Sequence, residues 1–423
     1  MSGDYSAMHI VGLGVASRAQ LSAEAQHALM NCDQIYGSVR QLATIAHYLE
    51  NHRTQTETTE LPKLTELEQK LRQRGAKKIV ILASGDPLFY GIGRWLGQQF
   101  LPSELVFYPA ISSVQAACHR LGLSLQDTTV LSLHGRPPEI LRTALKAKST
   151  VVILTDKNSQ PARIAQECSQ AGYTRSRITV CENLGYTSER VRNFPIHELI
   201  DGQVTFDPLH ITIVQVEGQS STLPQFPGFA DVLFETGSAP GSGMISKREV
   251  RLQILSYLQA ANDDVVWDIG AGCGGVAIEL AYWNARTTVY AIEQHPQRLQ
   301  YLQENRRRFG VVSNLKIKEG RAPACLAELP APDKIFIGGS DGELAALLDQ
   351  AWSRLPINGV LVASAVMEST RHQLSGFAEA VVNARVESVI LAVKRGTVSG
   401  NRLSYKDKLP VEIFSFTKTG DLP

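Results

Sequence analysis

Short apolar runs alternate with amphipathic stretches over the first 216 residues. Between runs, stretches such as PKLTELEQKLRQRG have the spacing of a helix with one apolar face. The runs have the length and the β-branched content of buried strands. They read HIVGLG, KKIVILAS, ELVFYPA, TTVLSLHG, STVVILT, RITVCENL and LHITIVQV. This alternation predicts an α/β region with mainly parallel strands.

A second alternation follows a segment rich in serine, glycine and proline, which has the composition of a linker. It begins with SKREVRLQILSYL, where Ser246 and Glu249 predict a capping box at the start of a helix. We predict a first domain over residues 1–217, a linker over 218–240 and a doubly wound, seven-stranded domain over 241–423, its last two strands closing as a hairpin. The seven runs are VVWDI, TVYAI, LKIKE, KIFIGG, GVLVAS, VESVILAV and PVEIFSF.

Composition narrows the classes of function. The 423 residues carry a formal net charge of +1, so no global basic field is present to attract nucleic acid. The six cysteines are scattered without metal-ligand spacing, which predicts buried free thiols and no metal site. No leader-like N-terminus is present, and no apolar run approaches the roughly 20 residues of a bilayer span. We expect a cytoplasmic protein that binds neither nucleic acid nor membrane.

The loop VVWDIGAGCGG at residues 265–275 carries a nucleotide-binding signal. Gly270, Gly272 and Gly275 have G-x-G-x-x-G spacing, but Asp268 would repel the pyrophosphate of a dinucleotide. The same carboxylate suits S-adenosylmethionine, which has no phosphate and carries an ammonium and a sulfonium. Glu293 ends the second strand, where it could accept the ribose hydroxyls of either ligand. These residues favour S-adenosylmethionine and leave an NAD-dependent oxidoreductase as the alternative.

An RNA methyltransferase is the second alternative, because NRRRF at residues 305–309 is a local basic cluster. The helical pattern before it places the cluster near a helix C-terminus, where positive charge is favourable. We therefore interpret it as a solvated helix face.

Five C-terminal segments resemble the decarboxylating precorrin methyltransferase family: GMISKREVR, DIGAGCGGVAIELA, AIEQHP, EGRAPACL and DKIFIGGSDGEL. The resemblance implies a class I, Rossmann-like methyltransferase fold. Arg321 departs from the family pattern, which has an acidic residue there. Besides Asp268, the resemblance implies a cofactor site lined by Ser246, Gly270, Gly272, Gly274, Glu293 and Ala322.

Four N-terminal segments resemble the tetrapyrrole methylase family and occur in its order: HIVGLG, SGDPLFYG, YPAISSVQAACHRLGL and LSLHGRP. The resemblance implies a fold of two α/β lobes with S-adenosylmethionine between them. It also implies a set of residues near the cofactor or the macrocycle, which are Gly12, Gly14, Gly85, Asp86, Phe89, Ser112 and Ser113.

Together the halves resemble the fused precorrin-6Y C5,15-methyltransferase family of cobalamin biosynthesis. The resemblance implies two S-adenosylmethionine sites per chain, methylation of precorrin-6B or its cobalt form at meso positions 5 and 15, and decarboxylation of the ring C acetate. No catalytic acid or base is assigned, and we expect a homo-oligomer. The precorrin carries several carboxylates, so the candidate clamps are Lys247, Arg248, Lys394, Arg395 and Arg402.

Overall fold

The computed structural model describes residues 6–50 and 56–420, which form two compact units. The first unit comprises the described residues up to 135, together with 148–169 and 173–218. The second comprises 136–147, 170–172 and the chain from 219 onward. Among the helices of the described residues, none combines the length and apolar character that a membrane crossing requires.

The first sheet of the first unit is entirely parallel, in the order β3-β2-β4-β1-β5. Two of its three inner strands, β4 and β1, come from the runs KKIVILAS and HIVGLG. All five residues of β4 are buried, as expected for a parallel strand covered on both faces. The elements are β1 (Met8–Gly12), α1 (Ala23–Met30), β2 (Gln34–Gly37), α2 (Val39–Glu50), β3 (Glu57–Glu60), α3 (Leu64–Arg72), β4 (Ile79–Ala83), α4 (Gly93–Gln99) and β5 (Leu105–Tyr108).

The second sheet has the order β6-β7-β10-β8-β9, and only β6 and β7 are parallel. The prediction of mainly parallel strands holds for the first unit as a whole, but the second sheet is mostly antiparallel, which the sequence does not reveal because a strand buried on both faces has the same apolar pattern in either direction. β2, β3 and β9 were not predicted, since they are short or polar. The elements are α5 (Ser113–Leu121), β6 (Thr128–Ser132), α6 (Leu141–Ala144), β7 (Thr150–Leu154), α7 (Pro161–Gln170), β8 (Arg177–Glu182), β9 (Arg190–Pro195) and β10 (His210–Gln215).

The second unit contains the predicted doubly wound sheet of seven strands, in the order β13-β12-β11-β14-β15-β19-β16. β19 runs antiparallel between β15 and β16, and a two-stranded ribbon, β17–β18, interrupts the predicted terminal hairpin. The elements are α8 (Arg248–Leu258), β11 (Val265–Ile269), α9 (Gly275–Trp283), β12 (Thr288–Glu293), α10 (Pro296–Arg308), β13 (Leu315–Glu319), β14 (Lys334–Ile337), α11 (Leu344–Arg354), β15 (Val360–Ala365), α12 (Glu368–Ala380), β16 (Ala384–Leu391), β17 (Lys394–Ser399), β18 (Arg402–Asp407) and β19 (Val411–Lys418).

Helix α8 forms where the periodicity predicts it, but its predicted capping box is absent. Lys247 occupies the N-cap position, and no side chain caps the helix there. Glu249 instead accepts a hydrogen bond from Arg395 at 2.6 Å, and the backbone carbonyl of Ser246 accepts one from Arg251. The Glu249 carboxylate, which would have completed the capping box, therefore forms an ion pair with Arg395 of the distant strand β17.

The serine- and proline-rich segment is packed into the second unit from residue 219 onward. Phe229 is fully buried, and its ring lies within about 6 Å, between ring centroids, of Phe234, Tyr282, Trp283 and Phe309. The average composition of the segment resembles a linker, while a few apolar side chains in it contribute to the core.

Residues 136–147 also belong to the second unit, although they lie far from it in sequence. Arg142 donates hydrogen bonds of 3.1 Å to the carbonyl oxygens of Arg307 and Arg308 at the end of α10. The last carbonyls of a helix have no partners within the helix, so this guanidinium acts as a C-terminal cap.

We predict that Phe229→Ala lowers the free energy of unfolding of the second unit by about 3–5 kcal/mol, the usual cost of removing a buried phenylalanine side chain. Denaturant unfolding followed by tryptophan fluorescence measures this, because Trp267, Trp283 and Trp352 lie in this unit. Phe226→Ala is the matched control, since Phe226 is 79% exposed and should cost little. Equal effects of the two substitutions would contradict the packing role of Phe229.

Candidate functional site

A cleft of about 620 Å³ lies at the carboxyl ends of the strands of the second unit. Its position is the one that open α/β sheets use for ligands. The segments that follow β11, β12, β14 and β15 line the cleft, so residues that are distant in sequence lie close together there. Of the predicted cofactor residues, the cleft brings together Ser246, Asp268, Gly270, Gly272, Glu293 and Ala322.

Gly270 allows the loops after β11 and β14 to touch. A Cβ atom at Gly270 would lie 2.7 Å from both the amide nitrogen and the carbonyl oxygen of Gly339, and the residue has a φ of +72°. Only glycine meets both conditions without displacing backbone. In the IGGS run, a Cβ at Gly338 would lie 2.9 Å from Cε1 of Phe336, whereas a Cβ at Gly339 would meet only Cα of Gly270, at 3.9 Å.

Gly274 is not among the residues that line the cleft. It is the N-cap of α9, with a φ of +86°, and a Cβ there would lie 2.4 Å from Cδ1 of Leu302. The adjacent Cys273 is buried, and burial raises the pKa of its thiol to about 11, so it is no candidate nucleophile. Gly274 and Cys273 are therefore explained by packing inside the unit, whereas Gly270 and Gly272 line the cleft.

Glu293 holds the glycine loop in place with its carboxylate. One oxygen accepts a hydrogen bond from the amide of Gly272 at 2.8 Å, and the other accepts from Gln294 and His295 at 2.9 Å each. The side chain is 3% exposed. An ionised carboxylate has about four acceptor positions, so one remains for a ligand hydroxyl.

Asp268 differs from Glu293 because one of its oxygens lacks a partner. Oδ2 accepts a hydrogen bond from the amide of Ala277 at 2.9 Å, while the buried Oδ1 has no hydrogen-bond partner among the described residues. Burial, with a smaller contribution from Glu293, raises the pKa of Asp268 to about 7. A buried carboxylate with an unused acceptor fits a cationic ligand group and opposes a pyrophosphate.

Several lining residues were not predicted. Ser364 lies near the end of β15, and the strand-end rule could have identified it. Met244, Val366 and Met367 are exposed apolar side chains that line the cleft. No sequence signal could have found these three, because single exposed apolar residues are common on protein surfaces.

Arg321, the departure from the family pattern, also lines the cleft. Its guanidinium lies 3.1 Å from the carboxylate of Glu343, just before α11. Both side chains are largely exposed, so this ion pair contributes little to stability.

The basic cluster lies at the C-terminal end of α10, as predicted, but only part of it is a solvated face: Arg307 is exposed, whereas the other polar groups of the cluster contact neighbouring segments. Asn305 is fully buried and donates to the carbonyl oxygens of Glu235 and Cys273. Arg306 donates to the carbonyl oxygen of Leu315 at 2.7 Å, and Arg308 donates to a backbone carbonyl at 2.8 Å. These groups hold neighbouring segments together, which weakens the case for an RNA-binding surface.

The first unit gathers its predicted residues at the ends of β1, β4 and β5. Gly14 and Gly85 exchange backbone hydrogen bonds of 3.4 and 3.2 Å. A Cβ at Gly12 would lie 2.8 Å from the carbonyl oxygen of Gly85, so the end of β1 and the turn after β4 approach closely because Gly12 has no side chain.

Asp86 organises the loop that follows β4. One carboxylate oxygen accepts from the amides of Leu88 and Phe89 at 2.8 and 3.0 Å, and the other accepts from Ala110 at 3.3 Å. The Phe89 ring packs edge-on against the ring of Tyr90, 5.1 Å away, and both side chains are partly exposed.

Ser112 and Ser113 begin helix α5 beside these glycines. The hydroxyl of Ser112 accepts from the amide of Gln115 at 3.2 Å, and the Gln115 side chain accepts from the amide of Ser112 at 2.9 Å. This capping box brings the start of α5 close to Gly85, whose Cβ would lie 3.2 Å from Cα of Ser112.

The five candidate clamps have different environments. Arg395 binds the carboxylates of Asp231 and Glu249, and Lys394 binds Asp407 at 3.2 Å. Lys247 donates to the carbonyl oxygen of Gly241 at 3.0 Å. Two clamps lie exposed on the surface: Arg248 and Arg402.

Both halves of the chain match known families. Residues 7–200 match the tetrapyrrole (corrin/porphyrin) methylases, and residues 240–418 match the precorrin methyltransferase domain. Two proteins of Salmonella typhimurium each match less than half of the chain. A cobalt-precorrin-7 C(5)-methyltransferase is 32% identical over 44% of this chain and 90% of its own length. A decarboxylating cobalt-precorrin-6B C(15)-methyltransferase is 33% identical over 41% and 89%.

One relative matches almost the whole chain. The decarboxylating precorrin-6Y C(5,15)-methyltransferase of Sinorhizobium sp is 33% identical over 413 residues, which are 97% of this chain and 96% of that protein. A match of this length includes both units and both glycine-rich edges described above. The chain therefore belongs to the family of decarboxylating precorrin-6Y C(5,15)-methyltransferases.

Proposed function

We propose that this chain methylates a precorrin at C5 and C15 and removes the carboxyl group of the ring C acetate as carbon dioxide. The observation that carries the proposal is Asp268, which lines the cleft and has a buried carboxylate oxygen with no hydrogen-bond partner among the described residues, an arrangement that suits a cationic methyl donor. The glycine-rich edge of the first unit supports a second donor site. The full-length relative supports the substrate and the pair of positions.

The proposal divides the work between residues 1–217 and 241–423, with 218–240 as the connecting segment. We assign decarboxylation and C15 methylation to the C-terminal part, and C5 methylation to the N-terminal part. The two family matches, over 7–200 and 240–418, support this boundary. The two Salmonella proteins support the division, because each is named for one of the two methylations.

In the C-terminal site, S-adenosylmethionine would supply an electrophilic methyl group. Asp268 would attract its ammonium group, and Glu293 would accept a hydrogen bond from a ribose hydroxyl. Gly270 and Gly272 would permit close approach of the backbone, and Ala322 also lines the cleft. These residues align the donor with the carbon to be methylated, and such positioning supplies most of the catalysis in methyl transfer. The N-terminal site would use Gly12, Gly14, Gly85, Asp86, Phe89, Ser112 and Ser113.

Decarboxylation leaves an electron pair on the acetate carbon, and the conjugated macrocycle can accept it once protonated. The protein then needs to bind the macrocycle and exclude water, and the proposal assigns no side chain as an acid or base. The exposed apolar side chains of Met244, Val366 and Met367 offer a surface for the macrocycle at the cleft.

The proposal places the protein in the cytoplasm and includes self-association. The ribbon exposes three large side chains, Val398, Leu403 and Tyr405, which a second copy of the chain could cover. A molar mass in solution equal to that of one chain would remove the homo-oligomer from the proposal.

Mass spectrometry of the product tests the function. From precorrin-6B or its cobalt form, the wild-type chain should yield a product with two added methyl groups and one carbon dioxide lost. Asp86→Ala should retain decarboxylation and one methylation, because its loop lies in the first unit. Loss of decarboxylation in folded Asp86→Ala would contradict the division of labour, and an unchanged substrate mass with wild-type protein would overturn the function.

Glu293→Gln should weaken binding of S-adenosylmethionine in the second unit at least tenfold. The amide has one acceptor oxygen in place of two, and hydrogen bonds to charged groups contribute about 1.5–3 kcal/mol each. Calorimetry measures the affinity, and circular dichroism checks the fold. Glu319→Gln is the matched control, because Glu319 ends the neighbouring strand in register with Glu293 and is exposed. Unchanged affinity in the Glu293 variant would remove this residue from the site.

Asp268 should make donor binding depend on pH. Its pKa is raised to about 7, so the carboxyl is largely neutral below that pH and attracts a cation only when ionised. Affinity for S-adenosylmethionine should therefore rise from about pH 5.5 to 7.5, by up to tenfold per pH unit below the pKa, with release of a proton on binding. Asp268→Asn should bind weakly with a flat profile. A flat wild-type profile would contradict this role.

A further inference from the structure

We propose that a second cavity, beside the cofactor cleft, binds a carboxylate side arm of the substrate through Lys247 and Lys408. The inference rests on the proposed function, since a precorrin supplies such arms. It assigns Lys408, which no sequence pattern singled out, as a residue that determines substrate affinity.

The cavity has a volume of about 400 Å³ and lies between the start of α8 and the base of the ribbon. Lys247, Val250 and Val411 line both this cavity and the cofactor cleft. The two spaces therefore share a wall, and a ligand at the mouth of the cleft could extend an arm across it.

Two cations at the cavity, Lys247 and Lys408, form no ion pair with a carboxylate of the described residues. Arg395 is neutralised by Asp231 and Glu249, at 2.8 and 2.6 Å. The lining acid Asp407 is held by Lys394 at 3.2 Å.

Lys247 contacts only a carbonyl oxygen among the described residues, and Lys408 has no hydrogen bond or ion pair with any of them. Burial lowers the pKa of Lys247, and nearby Lys408, Arg395 and Arg251 lower it further, against the opposing effect of Asp231. Positive charges that destabilise each other are relieved by a bound anion. An anionic group bound between Lys247 and Lys408 would offset the repulsion between these two ammonium groups.

The uncharged residues that line the cavity indicate which kind of anion would fit it. Besides the charged residues, the wall is aliphatic: Val250, Leu391, Val393, Leu409 and Val411. A carboxylate on a short methylene chain matches this combination, because the methylenes contact the aliphatic wall while the oxygens reach the two ammonium groups. Acetate and propionate arms of a precorrin have this structure.

The test is steady-state kinetics of Lys408→Gln in the full-length enzyme, with the precorrin as the varied substrate. The KM for the precorrin should rise about tenfold, as expected for loss of one charged hydrogen-bonding partner. The kcat and the affinity for S-adenosylmethionine should stay unchanged, because Lys408 lines only the second cavity. Lys408→Arg should restore most of the wild-type KM, since it returns the cation.

Lys406→Gln is the matched control, because Lys406 lies on β18 two residues before Lys408, is exposed and does not line the cavity. An unchanged KM in Lys408→Gln, or an equal rise in Lys406→Gln, would overturn the arm site while leaving the methyltransferase function intact. If the wild-type chain neither methylates nor decarboxylates the precorrin, the proposed function fails and the arm site fails with it.

Discussion

The second unit depends on the ion pairs formed by the fully buried guanidinium of Arg251. It binds Glu279 at 2.5 Å and Asp231 at 3.2 Å, and it donates to the backbone carbonyls of Phe229 and Ser246. Glu279 also accepts from the amides of Gly228 and Phe229. Removal of one partner from a buried ion pair typically costs about 3–5 kcal/mol, and here the second carboxylate would remain to compensate part of the arginine charge.

This network joins residues 218–240 to helices α8 and α9, next to the glycine loop. A Cβ at Gly275 would lie 2.9 Å from Cγ1 of Ile245 and 3.5 Å from Cδ of Arg251, so the end of the glycine loop packs against both side chains. The carboxylate of Glu293 holds the loop on one side, and the ion-paired arginine contacts it on the other. The same network extends through Asp231 to Arg395 and the base of the ribbon, where the second cavity lies.

The two carboxylates of the cleft show how one fold assigns different tasks to the same chemical group. Glu293 receives three backbone amides and serves chiefly to hold the loop. Asp268 receives one amide, lies deeper and has its pKa raised by burial. The difference in hydrogen bonding leaves Asp268 as the group whose charge responds to a bound cation.

The sequence by itself determined the α/β class, the seven strands of the second sheet and the residues at the ends of β11 and β12, because apolar periodicity and glycine spacing are local properties. Strand direction in the second sheet of the first unit came only from tertiary structure, since buried strands read alike in both directions. The tertiary structure was also needed to show that Arg251 is buried, that residues 219–240 pack into the second unit and that Lys408 lines a cavity. The identity of a single residue does not show whether its side chain is buried or exposed, because burial and contacts are decided by residues that are distant in sequence and meet only in the folded chain.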